Sequence, residues 1–302
     1  MQLYNALAII TVLAALFGYI NHRFIRLPHT IGVMLISLVA SLGVVILGLL
    51  EPSIFQQATA FIRRIDFYTV LVKIMLGFML FAGAINLNGR ALNNERVSVL
   101  TFSTISVLLS TALVGGLLYL LCLVLHQPIP FVYCLLFGAL ISPTDPIAVL
   151  SILREAGISP SLEIKITGES LFNDGVIDKF WGMTDNLLNA VLFLLIGLEM
   201  LVIPFRPFLL WLGLGAIPIV LAARYVSVLL PISLLRYNTC FEKNAIGILT
   251  WGGLRGGLSV ALALSVPASM YGEHFVAITY IIVLFSIIVQ GLTIGKFAGH
   301  LI

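Results

Sequence analysis

The sequence predicts an all-α polytopic membrane protein built as an inverted repeat, with broken helices crossing at its centre. Three observations carry this. The 302 residues are 60% hydrophobic and only 10% charged, with a mean hydropathy of +1.13, and the apolar residues gather in runs of about 20, the length that crosses a bilayer. Two of those runs are interrupted at their centres, one by prolines and the other by glycines. Within the stretch Thr167 to Gly175, the six residues Glu169 to Asp174 concentrate two carboxylates, an amide and a hydroxyl in this apolar setting. Such a composition excludes a soluble globular protein.

Apolar runs mark helices near residues 3–20, 30–50, 67–87, 97–125, 130–153, 161–177, 186–203, 206–232, 244–266 and 275–298. The first run lacks a basic flank and a small-residue cleavage site, so it is expected to remain as a span. No stretch is polar and long enough for a soluble domain. The net charge of +3 is small, and no basic patch suited to nucleic acid is visible. Cys122, Cys134 and Cys240 have neither metal nor redox spacing and read as packing residues.

The stretch from Thr167 to Gly175 is the chemical centre. In a helix, positions four apart stack on one face, so Ser170 sits over Asp174 and Glu169 over Asn173. A carboxylate at bilayer depth costs about 2.5–3.5 kcal/mol on insertion scales, and a helix serving as filler would not carry two. The functional reading is a cation or proton site; the alternative is a helix end lying among headgroups.

The run 130–153 is centred on Ser142-Pro143-Thr144-Asp145-Pro146. Each proline deletes a backbone donor and clashes with the preceding turn, so the helix is expected to break with Thr144 and Asp145 in the gap. Freed backbone groups at that depth are tolerated only against protein or a water-filled cavity. The run 244–266 is its counterpart, with Gly252, Gly253, Gly256 and Gly257 around Arg255. Paired interruptions point to an inverted-repeat transporter with its site where they meet; close helix packing is the other use for such glycines. Arg224 lies well inside the run 206–232 as a supporting intramembrane charge. Lys73 and Glu199 stand near span ends and can snorkel, and Glu163 suits a helix start. Asp145, Glu169 and Asp174 set against Arg224 and Arg255 leave one net negative charge, which one cation or one proton neutralises.

Ser142-Pro-Thr-Asp-Pro146, Gly168-Glu-Ser-Leu-Phe-Asn-Asp174, Asn189-Ala-Val-Leu-Phe-Leu-Leu-Ile-Gly-Leu-Glu199 and Gly252-Gly-Leu-Arg-Gly256 together resemble the monovalent cation:proton antiporter-1 family, the NhaP-like sodium/proton antiporters. The motifs fall in family order over most of the chain. The resemblance implies the sodium/proton antiporter fold and a secondary transporter, not an enzyme. Asp174 is implied as the carboxylate shared by cation and proton, with Thr144, Asp145 and Ser170 completing the site. Asn173 beside it resembles the electroneutral members. Glu169 resembles the acid that pairs with the arginine matching Arg255. Also implied are Na+ as the cation, with Li+ and K+ as further candidates, no cofactor beyond the transported ions, a homodimer, and a cell membrane of the bacterial inner-membrane type. One departure is Ala82, where some members carry an acid.

A larger departure follows Ile177. The family pattern continues that helix and adds three spans, roughly a hundred residues, before the segment resembling Asp178-Lys179-Phe180-Trp181. Here the two are joined directly, and the halves become unequal, 1–177 and 178–302. Only the 12 residues Ile166 to Ile177 remain of the acidic helix, too few to cross. With the N-terminus outside and this stub not crossing, the Lys and Arg other than Lys73, Arg224 and Arg255 divide 10 inside to 3 outside; with the stub crossing they divide 7 to 6. The positive-inside rule favours the first, so nine spans and one re-entrant half-helix are expected. Two rivals to antiport stand: a deletion product or partial gene model that inserts without transporting, and a channel or anion carrier. The net negative charge of the site argues against the last.

Overall fold

The computed structural model describes residues 2–63, 96–127, 129–144, 190–198, 201, 206–235 and 244–301, and every regular element among them is a helix. In chain order these are α1 (Gln2–Ile20), α2 (His29–Leu50), α3 (Pro52–Arg63), α4 (Arg96–Thr101), α5 (Val107–Val124), α6 (Phe131–Ile141), α7 (190–198), α8 (Pro207–Leu235), α9 (Ala245–Trp251), α10 (Gly257–Leu264), α11 (Gly272–Phe285) and α12 (Gly291–Leu301). A π-helical turn, Asn21–Ile25, extends α1; Phe102–Ser106 joins α4 to α5, and Ser286–Gln290 joins α11 to α12. Among the described residues, five segments are long and apolar enough to cross a membrane: Ala8–Ile25, Ile31–Leu50, Val97–Val124, Pro207–Leu235 and Gly272–Phe297. Val12, Leu108, Val132, Trp211 and Leu234 on these and neighbouring helices are exposed, an apolar surface suited to lipid. The predicted spans 67–87 and 161–177, and with them the re-entrant stub, lie outside the described residues.

One expectation is corrected. The predicted runs leave residues 51–66 as a connection, whereas α3 occupies most of it. Phe55, Ala58, Thr59 and Ile62 form its less exposed side while Gln56 and Gln57 are exposed, the spacing of an amphipathic helix packed on one face. It folds back on α2, with Phe55 over Gly48. A search for unbroken apolar runs passes over such a helix because half of it is polar.

The chain forms two compact units, Met1–Ala82 with Ile177–Pro204, and Gly83–Val176 with Phe205–Ile302. In the first, the Asn21 side chain donates to the Leu27 carbonyl (2.8 Å) and accepts from the Leu27 N–H (3.2 Å), closing the turn into α2. Ser41 Oγ then donates to the Gly197 carbonyl (2.8 Å), and Ser37 Oγ lies 3.4 Å from the Phe193 carbonyl, joining α2 to α7. Small hydroxylated residues let helix backbones approach in a membrane, where apolar surface alone gives little net attraction.

In the second unit, α5 and α6 form a tight hairpin. A Cβ at Gly138 would collide with the Thr111 carbonyl oxygen, and one at Gly115 would sit 2.8 Å from Leu135 Cα. The α5 end is closed by Gln127 N–H to the Cys122 carbonyl and His126 N–H to the Leu123 carbonyl, a Schellman arrangement. His126, at φ 55°, takes the left-handed position there. Cys122 and Cys134 are free and buried in the core this hairpin shares with α8 and α11. Proline 231 within α8 has no N–H for the Ser227 carbonyl four residues earlier; Ser106 Oγ of the π-turn donates to that carbonyl instead.

One end of this unit is defined by aromatic contacts. Tyr133 of α6 meets Tyr271 at 5.4 Å, Tyr271 meets His274 at 5.5 Å, and His274 meets Phe208 of α8 at 5.6 Å. Helices α6 and α8 therefore start on the same side of this unit.

Candidate functional site

The break expected at the glycines is present, and at the prolines a helix ends where the other break is expected, its continuation lying outside the described residues. Helix α6 stops at Ile141, and Ser142, Pro143 and Thr144 leave the helix. Helix α9 stops at Trp251 and α10 begins at Gly257, with Gly252 to Gly256 between them. Each stop strands carbonyl groups that carry the negative end of a half-helix dipole, equivalent to about half an elementary charge. In hydrocarbon they need partners.

Two buried arginines are those partners. Arg255, 1% exposed, comes from the α9–α10 break and extends to the end of α6. Its Nη1 donates to the Ser142 carbonyl (2.7 Å) and to the Pro143 carbonyl (3.0 Å). Arg224 of α8, 4% exposed, sits beside the end of α9, with Nε donating to the Leu249 carbonyl (3.3 Å). Its stem passes so close to the break that a Cβ on Gly253 would lie 2.7 Å from Nε and 3.3 Å from both Cδ and Cγ. Any side chain at 253 would have to displace the Arg224 side chain from this place. Each interrupted helix thus has a cation at its carbonyl end. These positive charges offset two half-helix dipoles before any carboxylate is counted, and they hold the segments on which Thr144 and Arg255 stand.

The α6 end is set by further polar contacts. Ser142 Oγ donates to the Gly138 carbonyl (2.6 Å) and lies 3.1 Å from Ser110 Oγ of α5. Thr144, 8% exposed, is the last described residue before the gap. Asp145, Glu169, Ser170, Asn173 and Asp174 lie outside the described residues. Of the predicted site residues, the structure therefore brings together Thr144, Arg224 and Arg255 in one unit. Among the described residues no group of three His, Cys, Asp or Glu side chains gathers as metal ligands would.

Residues that the sequence reading passed over hold the α9–α10 break. The Arg255 N–H donates to Ser286 Oγ (2.8 Å), the Ser286 hydroxyl donates to Gln290 Oε1 (2.8 Å), and Gln290 Nε2 donates to the Trp251 carbonyl (2.9 Å). The Trp251 indole N–H in turn donates to Thr293 Oγ1 (2.9 Å). A signal was available: Ser286 and Gln290 are polar residues four apart in an apolar run, the pattern that marked 169–174.

Known proteins resemble the chain along its whole length. The family described as "Sodium/hydrogen exchanger, transmembrane" matches residues 11–177 and again 177–298. The Na(+)/H(+) antiporter NhaP of Pseudomonas aeruginosa is 34% identical over 409 residues, covering 96% of this chain and 95% of that protein. The Na(+)/H(+) antiporter NhaH of Halobacillus dabanensis is 24% identical over 385 residues, covering 90% of this chain and 91% of its own. The solved sodium proton antiporter MjNhaP1 of Methanocaldococcus jannaschii superposes with a TM-score of 0.69 at 17% identity, covering 100% of this chain and 99% of that one, a likeness of fold. An alignment of 409 residues against a chain of 302 leaves about a hundred positions of NhaP without a counterpart here. The two family matches meet at residue 177, the junction at which the sequence departs from the family pattern. Interrupted helices held by buried arginines, and a family match on both sides of that point, place the chain in the sodium/hydrogen exchanger family.

Proposed function

We propose that this chain exchanges a monovalent cation, Na+ in the first place, for H+ across a membrane by alternating access. The observation that carries the proposal is the meeting of two interrupted helices within one unit, where Arg255 is held at the carbonyl end of the half-helix leading into Thr144 and Asp145. Relatives named as Na(+)/H(+) antiporters support the same reading. In it, Asp174 is the group that cation and proton share, so that binding one displaces the other; Asp145, Thr144, Ser170 and Asn173 complete the shell, and Arg224 and Arg255 balance its charge. Rigid-body movement of the site-bearing helices exposes the site to each side in turn. A cell membrane, a homodimer and a part in pH homeostasis belong to the same proposal. The test is reconstitution into vesicles holding a pH-reporting dye, with Na+, Li+ or K+ added outside. A dye response to Na+ is expected, and silence to all three cations would overturn transport by this chain.

A second reading has its own observation. The alignment with NhaP is about a hundred residues longer than this chain, and the two family matches meet at residue 177; on this reading the chain is a deletion product that inserts but lacks spans needed to close the site. Such a chain binds a cation without alternating, and the vesicle measurement separates the two readings.

A further inference from the structure

Breaking α9 from α10 leaves two backbone groups at its lips, the Trp251 carbonyl on one side and the Arg255 N–H on the other. One short segment meets both, the π-helical turn Ser286–Gln290. An N–H can only donate and a carbonyl can only accept. The Ser286 oxygen that receives the Arg255 N–H must therefore send its own proton to Gln290 Oε1, and the Gln290 amide is oriented with its Nε2 toward Trp251. Ser286 is fully buried and Gln290 is 3% exposed. An amide in such a place is unfavourable unless both of its ends are used, and here both are. Ser286 and Gln290 stand four apart at the two ends of a π-helical turn and face the same break; such bulges recur at functional sites.

We propose that Gln290 is a positioning residue for Arg255, tying the Trp251 carbonyl to the Arg255 N–H through Ser286 and so fixing the opening at which the guanidinium reaches the Ser142 and Pro143 carbonyls. Its bearing on ion exchange rests on the function proposed above; its effect on Arg255 does not. The test is the nitrogen NMR spectrum of arginine-labelled protein in detergent, with the Arg255 signals identified by their loss in Arg255→Lys. A guanidinium held by Nη1 on two carbonyls turns slowly and shows two separate Nη signals. In Gln290→Met, which keeps the volume and removes both hydrogen bonds, the two signals are expected to merge into one. Should that variant fail to fold, Ser286→Ala, smaller by one oxygen, carries the same expectation. Gln290→Glu at low pH, where a neutral carboxyl offers the same acceptor and donor, is expected to keep two signals. Separate signals persisting in Gln290→Met or Ser286→Ala would overturn the proposal, as would merged signals in the unaltered chain or in Gln290→Glu at low pH. The spectrum is read whether or not vesicles exchange ions. Silent vesicles with the expected spectral changes would sink the transport reading alone.

Discussion

Serine 106 shows what a single hydroxyl does in this chain. Its donor replaces the N–H that Pro231 removes from the Ser227 carbonyl, and both serines are buried. Ser106→Ala leaves that carbonyl unpartnered, which costs about 1–3 kcal/mol. The expected outcome is a lower melting temperature of the purified protein, whereas Ser233→Ala, whose hydroxyl is exposed, should change it little. An equal effect of the two would remove Ser106 from this role. Asp174→Asn belongs to the same scale. It is expected to abolish dye-reported exchange while leaving membrane insertion intact, because it deletes the group proposed to be shared by both ions. Full proton movement on Na+ addition in this variant of an active chain would show that Asp174 is not the site.

At the scale of elements, the interrupted helices depend on charges borrowed from other helices. Arg255 reaches across to α6 with one guanidinium nitrogen, and Glu169 is the acid expected to pair with it. Removing one partner of a buried pair costs about 3–5 kcal/mol because the other charge is left uncompensated. Glu169→Gln and Arg255→Met should each reduce the folded yield, and the double variant should recover part of that loss. Recovery should stop short of the unaltered chain, since the α6 carbonyls still lack their donor in the double variant. Strictly additive losses would rule the pairing out.

For the molecule as a whole, topology is the quantity to measure. The charge division of 10 inside to 3 outside is the ground for expecting a stub at 166–177 that does not cross. Cysteines placed at Lys179 and Tyr237 should react with an impermeant thiol reagent from the cytoplasmic side only. Labelling at position 179 from outside would sink the re-entrant arrangement. If the unaltered chain is silent in vesicles, inserting a family-length segment of roughly a hundred residues after Ile177, enough for three spans, is expected to restore exchange. Silence after that insertion would place the defect elsewhere.

Apolar runs were sufficient to find the long helices, because a span must bury 20 or so residues in hydrocarbon and that demand is written locally. The end of α6 and the α9–α10 break were equally legible, since Pro143 removes a donor and the glycines at 252–257 weaken a helix wherever they stand. Thr144, Arg224 and Arg255 could be singled out by polarity alone, but their partners could not. Arg255 and Ser142 are separated by 113 positions, and no periodicity links a guanidinium to a particular carbonyl. Ser286 and Gln290 showed a polar pair, and only packing of α11 and its π-turn against the break says what the pair binds. The amphipathic α3 was hidden because its apolar face is completed by α2. The sequence by itself thus determined where the backbone runs and where it must break, both being costs paid residue by residue. Which side chain answers each freed backbone group was decided by the tertiary structure, because a hydrogen bond is made between neighbours in space.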